Sequence, residues 1–281
     1  MRLSLNTVKS YENDLNKYVM YLTDNHNIKD VNKITYNHIR KYISSLTVLN
    51  HKPTSINRNI SSIKKFHLYL YDNELSINNP ADLIESQKII RDLPDTLTVQ
   101  EIDLILESVI IAADTGPRDI AILSLLYSSG IRVSELVSLE FSNIFLDEDY
   151  IKIMGKGKKE RLVPIGVKAK NYLVKYINTF RKSDNLGFNT GNIFLSYRNK
   201  PLTRMAVFNI IKKYVKIAGI NKKISPHTFR HSFATHMLEG GADLRVVQEI
   251  LGHENINTTE IYTHLDRTYL KEVHKLHHPR G

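Results

Sequence analysis

Residues 150–165 read YIKIMGKGKKERLVPI, and this stretch decides the fold class. YIKIM (150–154) alternates apolar and polar residues, and ERLVPI (160–165) is rich in β-formers. Between them GKGKK, with a lysine bracketed by Gly155 and Gly157, supplies a turn, so the pair reads as a β-hairpin with a basic tip. Elsewhere the apolar residues recur every three to four positions. A single hairpin set among helices predicts a mainly α protein with a small β-sheet.

Working outward, VKAKNYLVKYINTF (167–180) continues as a helix, and Thr203 caps another over RMAVFNIIKKYVKIA, which Gly219 ends. Upstream, TVQE (98–101) has the form of a capping box opening EIDLILESVI. PRDIAILSLLYSS (117–129) starts at Pro117 and stops before Gly130; apolar nearly all round, it belongs in a core. The periodicity lapses over QKIIRDLPDT (87–96), which reads as a linker. Before it, three helices are expected. Val8, Tyr11, Leu15, Val19 and Leu22 form the apolar face of the first. Ile39, Tyr42, Ile43 and Leu46 form that of the second, capped by Thr35, and Ile56, Ile60, Ile63, Phe66 and Leu70 that of the third. The expected division is a helical domain over 1–90 and a mixed, helix-dominated domain over 91–281.

The 281-residue chain carries 39 Lys and Arg against 29 Asp and Glu, a net charge of +10. Both halves share the surplus, at +4 over residues 1–94 and +6 over 95–281. Such an excess suits a partner with regularly spaced negative charge, of which nucleic acid is the commonest, or an ordinary basic enzyme. The third helix sets Asn57, Arg58, Asn59, Ser61, Ser62, Lys64 and Lys65 opposite its apolar face. That surface suits phosphate contacts or simple solvation. Cysteine is absent, which excludes disulfides and thiolate zinc sites. No apolar run is long enough to cross a bilayer and no signal segment opens the chain, so a cytoplasmic protein without a membrane partner is expected.

The chemistry concentrates in SPHTFRHSFATHM (225–237). Ser225 is a natural N-cap, Pro226 fits the first helical position, and His227 and Arg230 share a face near the helix amino terminus. Unpaired N–H groups, the helix dipole and a guanidinium together favour an anion, phosphate above all. A metal site on His227 and His231 would need a third ligand, and HTFRH lacks the glutamate of a zincin helix. His231 and His236 read as packing residues. Arg132 follows Gly130 at the start of another helix, His253 follows Gly252, and Tyr262 lies in a short segment beyond. Two arginines, two histidines, a tyrosine and a loop lysine could transfer a phosphoryl group with neither metal nor cofactor.

Six fragments carry a family resemblance in order: LSLNTVKSYENDLNKYV (3–19), NNPADLIES (78–86), GIRVSELVSLE (130–140), GKGKKERLVPIG (155–166), SPHTFRHSFATHMLEGGADLRVVQEILGH (225–253) and NTTEIYTHL (257–265). With the ending HKLHHPRG (274–281), the chain resembles the tyrosine recombinases of the phage-integrase family, in their bacterial Xer branch. The resemblance implies a SAM-like, core-binding helical domain and a catalytic domain closing a C-shaped clamp around duplex DNA. It implies a catalytic set of Arg132, Lys156, His227, Arg230, His253 and Tyr262. Arg132 and Arg230 would hold the scissile phosphate, and Tyr262 would attack phosphorus to leave a 3′-phosphotyrosyl link. His227 would exchange the tyrosine proton, His253 would bond the phosphate and Lys156 would protonate the departing 5′-oxygen. Lys158 and Lys159 compete with Lys156 by residue type, and only the family's glycine bracket selects the first. Glu135 would orient Arg132.

For DNA binding the expected contacts are Arg58, Lys64 and Lys65, with Arg204 leading its helix into a major groove. The resemblance further implies a tetramer on a double-stranded recombination site, either homo-oligomeric or with a second Xer-type recombinase, that resolves chromosome dimers at division, with a septal DNA translocase as a further partner. An integrase of a mobile element, a monomeric type IB topoisomerase and a non-cleaving DNA-binding protein are the alternatives. In the tail, Leu265, Tyr269, Val273 and Leu276 form a stripe suited to a neighbour's groove. Removing the chain after His264 is on that reading expected to spare folding.

Overall fold

In the computed structural model the described residues are 5–88, 95–111, 116–155, 160–181, 191–252 and 267–281. They form two compact units, Met1–Asp92 and Leu93–Gly281. The fold is mainly helical with one three-stranded sheet.

The first unit holds α1 (Leu5–His26), α2 (Tyr36–Val48) and α3 (Pro53–Asp72). Tyr18, Leu22, Ile39, Tyr42, Leu46, Ile56, Ile60 and Ile63 make its core, closed by Ala81 and Ile84. Two expectations are corrected here. In α1, Val8 and Val19 face out, while Asp14 and Tyr18 face in. The reason lies in α3, whose supposedly solvated face is partly a polar seam against α1. Arg58 grips the buried Asp14 with two hydrogen bonds of 2.9 and 2.8 Å, and Ser62, itself buried, donates to the same carboxylate. Asn59 is buried too, accepting from Tyr42 Oη. Asn57 exchanges two 2.8 Å bonds with the backbone of Gln87, as a strand would. Polar residues opposite an apolar stripe need not face water when a partner helix offers a carboxylate.

The second unit is built around α5 (Gly116–Ser129), buried at every residue from Asp119 to Ser129. It packs against α4 (Val99–Ile111), α7 (Val167–Tyr176) and α9 (Pro226–Glu239). The capping box opening α4 is present: Glu101 Oε2 accepts from Thr98 N, and Thr98 Oγ1 accepts from Glu101 N. After α6 (Val133–Val137) come β1 (Ile144–Phe145), β2 (Tyr150–Met154) and β3 (Glu160–Pro164), antiparallel in that order. Strand β1 is only two residues long, too short to register as alternation. In the hairpin Ile151 faces Val163 and Ile153 faces Arg161. Then follow α8 (Arg204–Ile217), whose N-cap Thr203 accepts from Ala206 N, α9, α10 (Leu244–Leu251) and α11 (Arg267–His277).

The tail also departs from expectation. Within α11, Leu270 and Val273 are buried in the domain's own core, leaving Tyr269 and Leu276 exposed; Leu265 lies outside the described residues. His274 Nε2 donates to Ser128 O at 2.7 Å, His278 stacks on His274 and packs against Tyr127, and Arg280 pairs with Asp103. An apolar stripe alone cannot distinguish a neighbour's groove from the chain's own, and here the cis contacts take Val273 from it. Removing the tail therefore uncovers core rather than sparing the fold.

Burial pushes the His274 imidazole down from its ordinary 6.5 to about 4. The fold thus holds it neutral, while the unfolded chain would protonate it. Its contribution is fully present above pH 6.5 and is lost as pH falls toward 4, up to roughly 3 kcal/mol for a shift of that size. Denaturant unfolding between pH 7.5 and 4.5 should show falling stability, with a shallower slope for His274→Leu. Parallel slopes would mean that His274 is not held neutral.

Candidate active site

The site forms where α10 ends. A helix leaves its last carbonyls without intrahelical partners, and they carry partial negative charge. At the end of α10, Gly252 takes the left-handed conformation at φ +66°, which closes the helix. Three guanidinium groups then meet the three consecutive carbonyls of Ile250, Leu251 and Gly252.

Arg132 is the N-cap residue of α6. Its Nη2 donates to Gly252 O at 3.0 Å and its Nη1 to Glu135 Oε1 at 2.9 Å, while Glu135 Oε2 accepts from the Arg132 backbone N at 2.8 Å. Its side chain stays 43% exposed. Arg230, one turn into α9, is buried; Nη2 donates to Leu251 O at 2.6 Å and Nη1 to Gly130 O at 2.7 Å. Burial, with the nearby Arg132 charge adding to it, pushes Arg230 down to about 10, so it remains a cation at neutral pH.

Arg161 on β3 supplies the third guanidinium, its Nε donating to Ile250 O at 2.9 Å. Its Nη1 and Nη2 form a fork-to-fork pair with Glu135 at 3.0 and 2.7 Å. Burial pushes the Glu135 carboxyl up, but hydrogen bonds from Arg161 and the Arg132 backbone outweigh it and hold it below its ordinary value. Sequence reasoning missed Arg161. A signal was available: it alternates with Val163 on the strand face that Ile151 and Ile153 turn to the core. An arginine at an inward strand position needs a buried anion.

His227 lies exposed in the first turn of α9, which opens as the sequence suggests, with Ser225 Oγ accepting from Thr228 N and Pro226 leading. His236 is buried against Tyr127 Oη at 2.8 Å, and His231 is half-buried. Lys156, Lys158, Lys159, His253 and Tyr262 lie outside the described residues. Described and gathered at one place are thus Arg132, Arg230, Glu135 and Arg161. Three guanidiniums against one carboxylate leave two positive charges gathered at one place, a setting for a phosphate. Among the described residues no cluster of three metal-ligating side chains occurs.

The residues expected to touch DNA fare unevenly. Arg204 stands exposed at the start of α8. In the first unit Arg58 is half-exposed but tied to Asp14, Lys64 donates to the carbonyls of Asp82 and Ile84, and Lys65 lies over the Tyr11 ring.

Comparison with known proteins shows the family. The model of the phage integrase family matches residues 95–268, and that of the phage integrase N-terminal SAM-like domain matches residues 1–74. The chain is 46% identical to the tyrosine recombinase XerD of Chlorobaculum tepidum, over 98% of this chain and 91% of the relative. It is 42% identical to the tyrosine recombinase XerD of Oceanobacillus iheyensis, over 99% and 94% respectively. Its fold is similar to that of the XerH site-specific recombinase bound to a palindromic difH substrate in a post-cleavage complex. There the TM-score is 0.75 at 23% identity, covering 96% of this chain and 79% of that one.

The arrangement also depends on Gly130, whose φ is +58° and whose absent Cβ would come within 2.5 Å of Phe233 Cδ1 and 2.8 Å of Leu251 Cδ2. Gly130→Ala should destabilise the second unit by roughly 2–4 kcal/mol through backbone strain and overpacking. The measurement is denaturant unfolding. A loss under about 0.5 kcal/mol, the range of ordinary surface substitutions, would mean that the turn relaxes freely.

Proposed function

Because the chain belongs to the phage integrase family and is a site-specific tyrosine recombinase, we propose that it cuts and rejoins duplex DNA at the site built by Arg132, Arg230 and their partners. The observation that carries this reading is the pair of arginines held at the carboxyl end of α10, with a net positive charge and one of them still open to solvent. Arg132 and Arg230 hold the non-bridging oxygens of the scissile phosphate and stabilise the charge that grows there. The Tyr262 phenolic oxygen attacks phosphorus and forms the 3′-phosphotyrosyl bond as the bond from phosphorus to the 5′-oxygen breaks. A phenol with a pKa of about 10 must lose its proton as it attacks, and His227 takes it. The proton reaching the departing 5′-oxygen comes from Lys156, and His253 bonds the phosphate. Religation by another 5′-hydroxyl reverses these steps.

The first unit is the DNA-binding, core-binding domain and the second the catalytic one, with Arg204 reaching the major groove. Tetramers assemble on the recombination site, either as one protein or with a second Xer-type recombinase, and resolve chromosome dimers in the cytoplasm together with a septal DNA translocase. Support for the chromosomal role is the 40–46% identity to tyrosine recombinases XerD along nearly the whole chain.

The central test is covalent trapping on nicked genomic fragments, followed by sequencing of the DNA ends joined to protein. Tyr262→Phe should bind the recovered site and form no covalent complex. Full cleavage by this variant would remove Tyr262 as nucleophile.

Lys156 can be separated from a plain phosphate contact chemically. An alkoxide needs a proton to leave and a thiolate does not, so Lys156→Ala should be slow on normal DNA and largely restored when sulfur replaces the bridging 5′-oxygen. Equal deficits on both substrates would make Lys156 a phosphate contact only. Restoration by sulfur in Lys158→Ala or Lys159→Ala, without it in Lys156→Ala, would move the acid to that lysine.

A further inference from the structure

Arg161 has no place in the catalytic set above, yet it is the most fully engaged of the three arginines. Its side chain is 8% exposed, and Nε, Nη1 and Nη2 each donate to an oxygen of the protein, Ile250 O or the Glu135 carboxylate. It is turned away from solvent where Arg132 is turned toward it. Arg132, by contrast, owes its placement to the two groups that Arg161 holds. One is Glu135, which bonds both its backbone and its guanidinium. The other is the end of α10, where Gly252 O takes Arg132 Nη2.

Gly252 reports how closely Arg161 fits there. A Cβ on Gly252 would lie 3.0–3.1 Å from Arg161 Cδ, Nε and Nη1, so the helix end rests directly on this side chain. Without Arg161, Glu135 would keep two of its four bonds while remaining buried, and burial would then push its carboxyl toward neutrality. A neutral or displaced Glu135 would no longer fix the Arg132 guanidinium.

We propose that Arg161 is a positioning residue: through Glu135 and the carboxyl end of α10 it sets Arg132 against the scissile phosphate without touching the phosphate itself. The inference rests on the reading of Arg132 as a phosphate-holding residue. It adds that β3 is tied to the arginine site through Arg161, so cleavage depends on a residue that never meets DNA.

The test measures covalent complex formation at saturating DNA, on the nicked duplex recovered by trapping and on the same duplex with a methylphosphonate at the cleaved position. Removing one anionic oxygen removes the charge that Arg132 is there to meet. Arg161→Leu should bind the normal duplex within about twofold of the unaltered protein but cleave it about 10- to 100-fold more slowly, as expected for a displaced positioning contact. On the methylphosphonate its deficit should shrink to about threefold or less, and the Arg132→Ala/Arg161→Leu double variant should be no slower than Arg132→Ala alone. A damaged fold would slow both substrates alike, and that result would overturn the proposal. So would an Arg161→Leu that cleaves at the normal rate beside a slow Arg132→Ala, which would leave the site reading intact. If Arg132→Ala itself cleaves normally, the site reading fails and the inference with it. Should Arg161→Leu not fold, judged by its far-ultraviolet dichroism, Arg161→Lys undergoes the same comparison. It keeps the charge but cannot fork onto Glu135, so the same substrate dependence is expected and its absence decides against the role.

Discussion

The second unit hangs on the end of one helix. Ile250, Leu251 and Gly252 offer three successive carbonyls that α10 cannot satisfy, and Arg161, Arg230 and Arg132 take one each from β3, α9 and the start of α6. Hydrogen bonds from charged donors to buried carbonyls are stronger than neutral ones, and leaving such carbonyls bare would be costly. The contacts satisfy a structural need and, by the same geometry, gather positive charge at one point. Like charges repel in a poorly solvated place, so the arrangement also requires Glu135, which binds two of the three guanidiniums. Residues 253–266, with His253 and Tyr262, follow this helix end directly.

The rest of the unit keeps those elements in register. Helix α5 is buried along nearly its whole length and delivers Gly130, whose left-handed turn lets the chain reverse into α6 beneath Phe233 and Leu251. The Gly130 carbonyl is then claimed by Arg230. The N-cap at Ser225 and Pro226 starts α9 at the point that puts Arg230 inside and His227 outside. Strand pairing of Ile153 with Arg161 and Ile151 with Val163 fixes which hairpin residues face the core, and a slip by one residue would turn Arg161 to solvent.

Much of this was legible in the chain. Caps at Thr98, Thr203 and Ser225, the stop at Gly130 and the hairpin's alternation each have a local cause, so a linear reading finds them. Harder to read were the features whose cause is distant in sequence. Asn59 and Ser62 look solvated until Tyr42 and Asp14 are placed against them. Val273 suits any groove until its own core receives it. Arg161 passes for one more basic residue of the GKGKKER run until the strand's inward face is counted. Arg132 and Arg230 stood out because residue type and helix-terminal position pointed to an anion together. That they meet at α10 could not be read from spacing.

Burial sets Arg230 and Arg132 apart. Arg230 has both terminal nitrogens on carbonyls and is lowered to about 10, a sign that its charge is kept where water screens it little. Arg132, 43% exposed, can meet a ligand's oxygens while Glu135 and Gly252 O hold its orientation. A fixed charge in a dry place acts on a developing negative charge more strongly than a solvated one and needs little reorganisation when the charge appears. The cost of desolvating Arg230 is met by the carbonyls of Gly130 and Leu251, so the fold keeps this charge in readiness before any DNA arrives. On the proposed function, the desolvation that makes Arg230 expensive for folding is also what makes it effective on a phosphate.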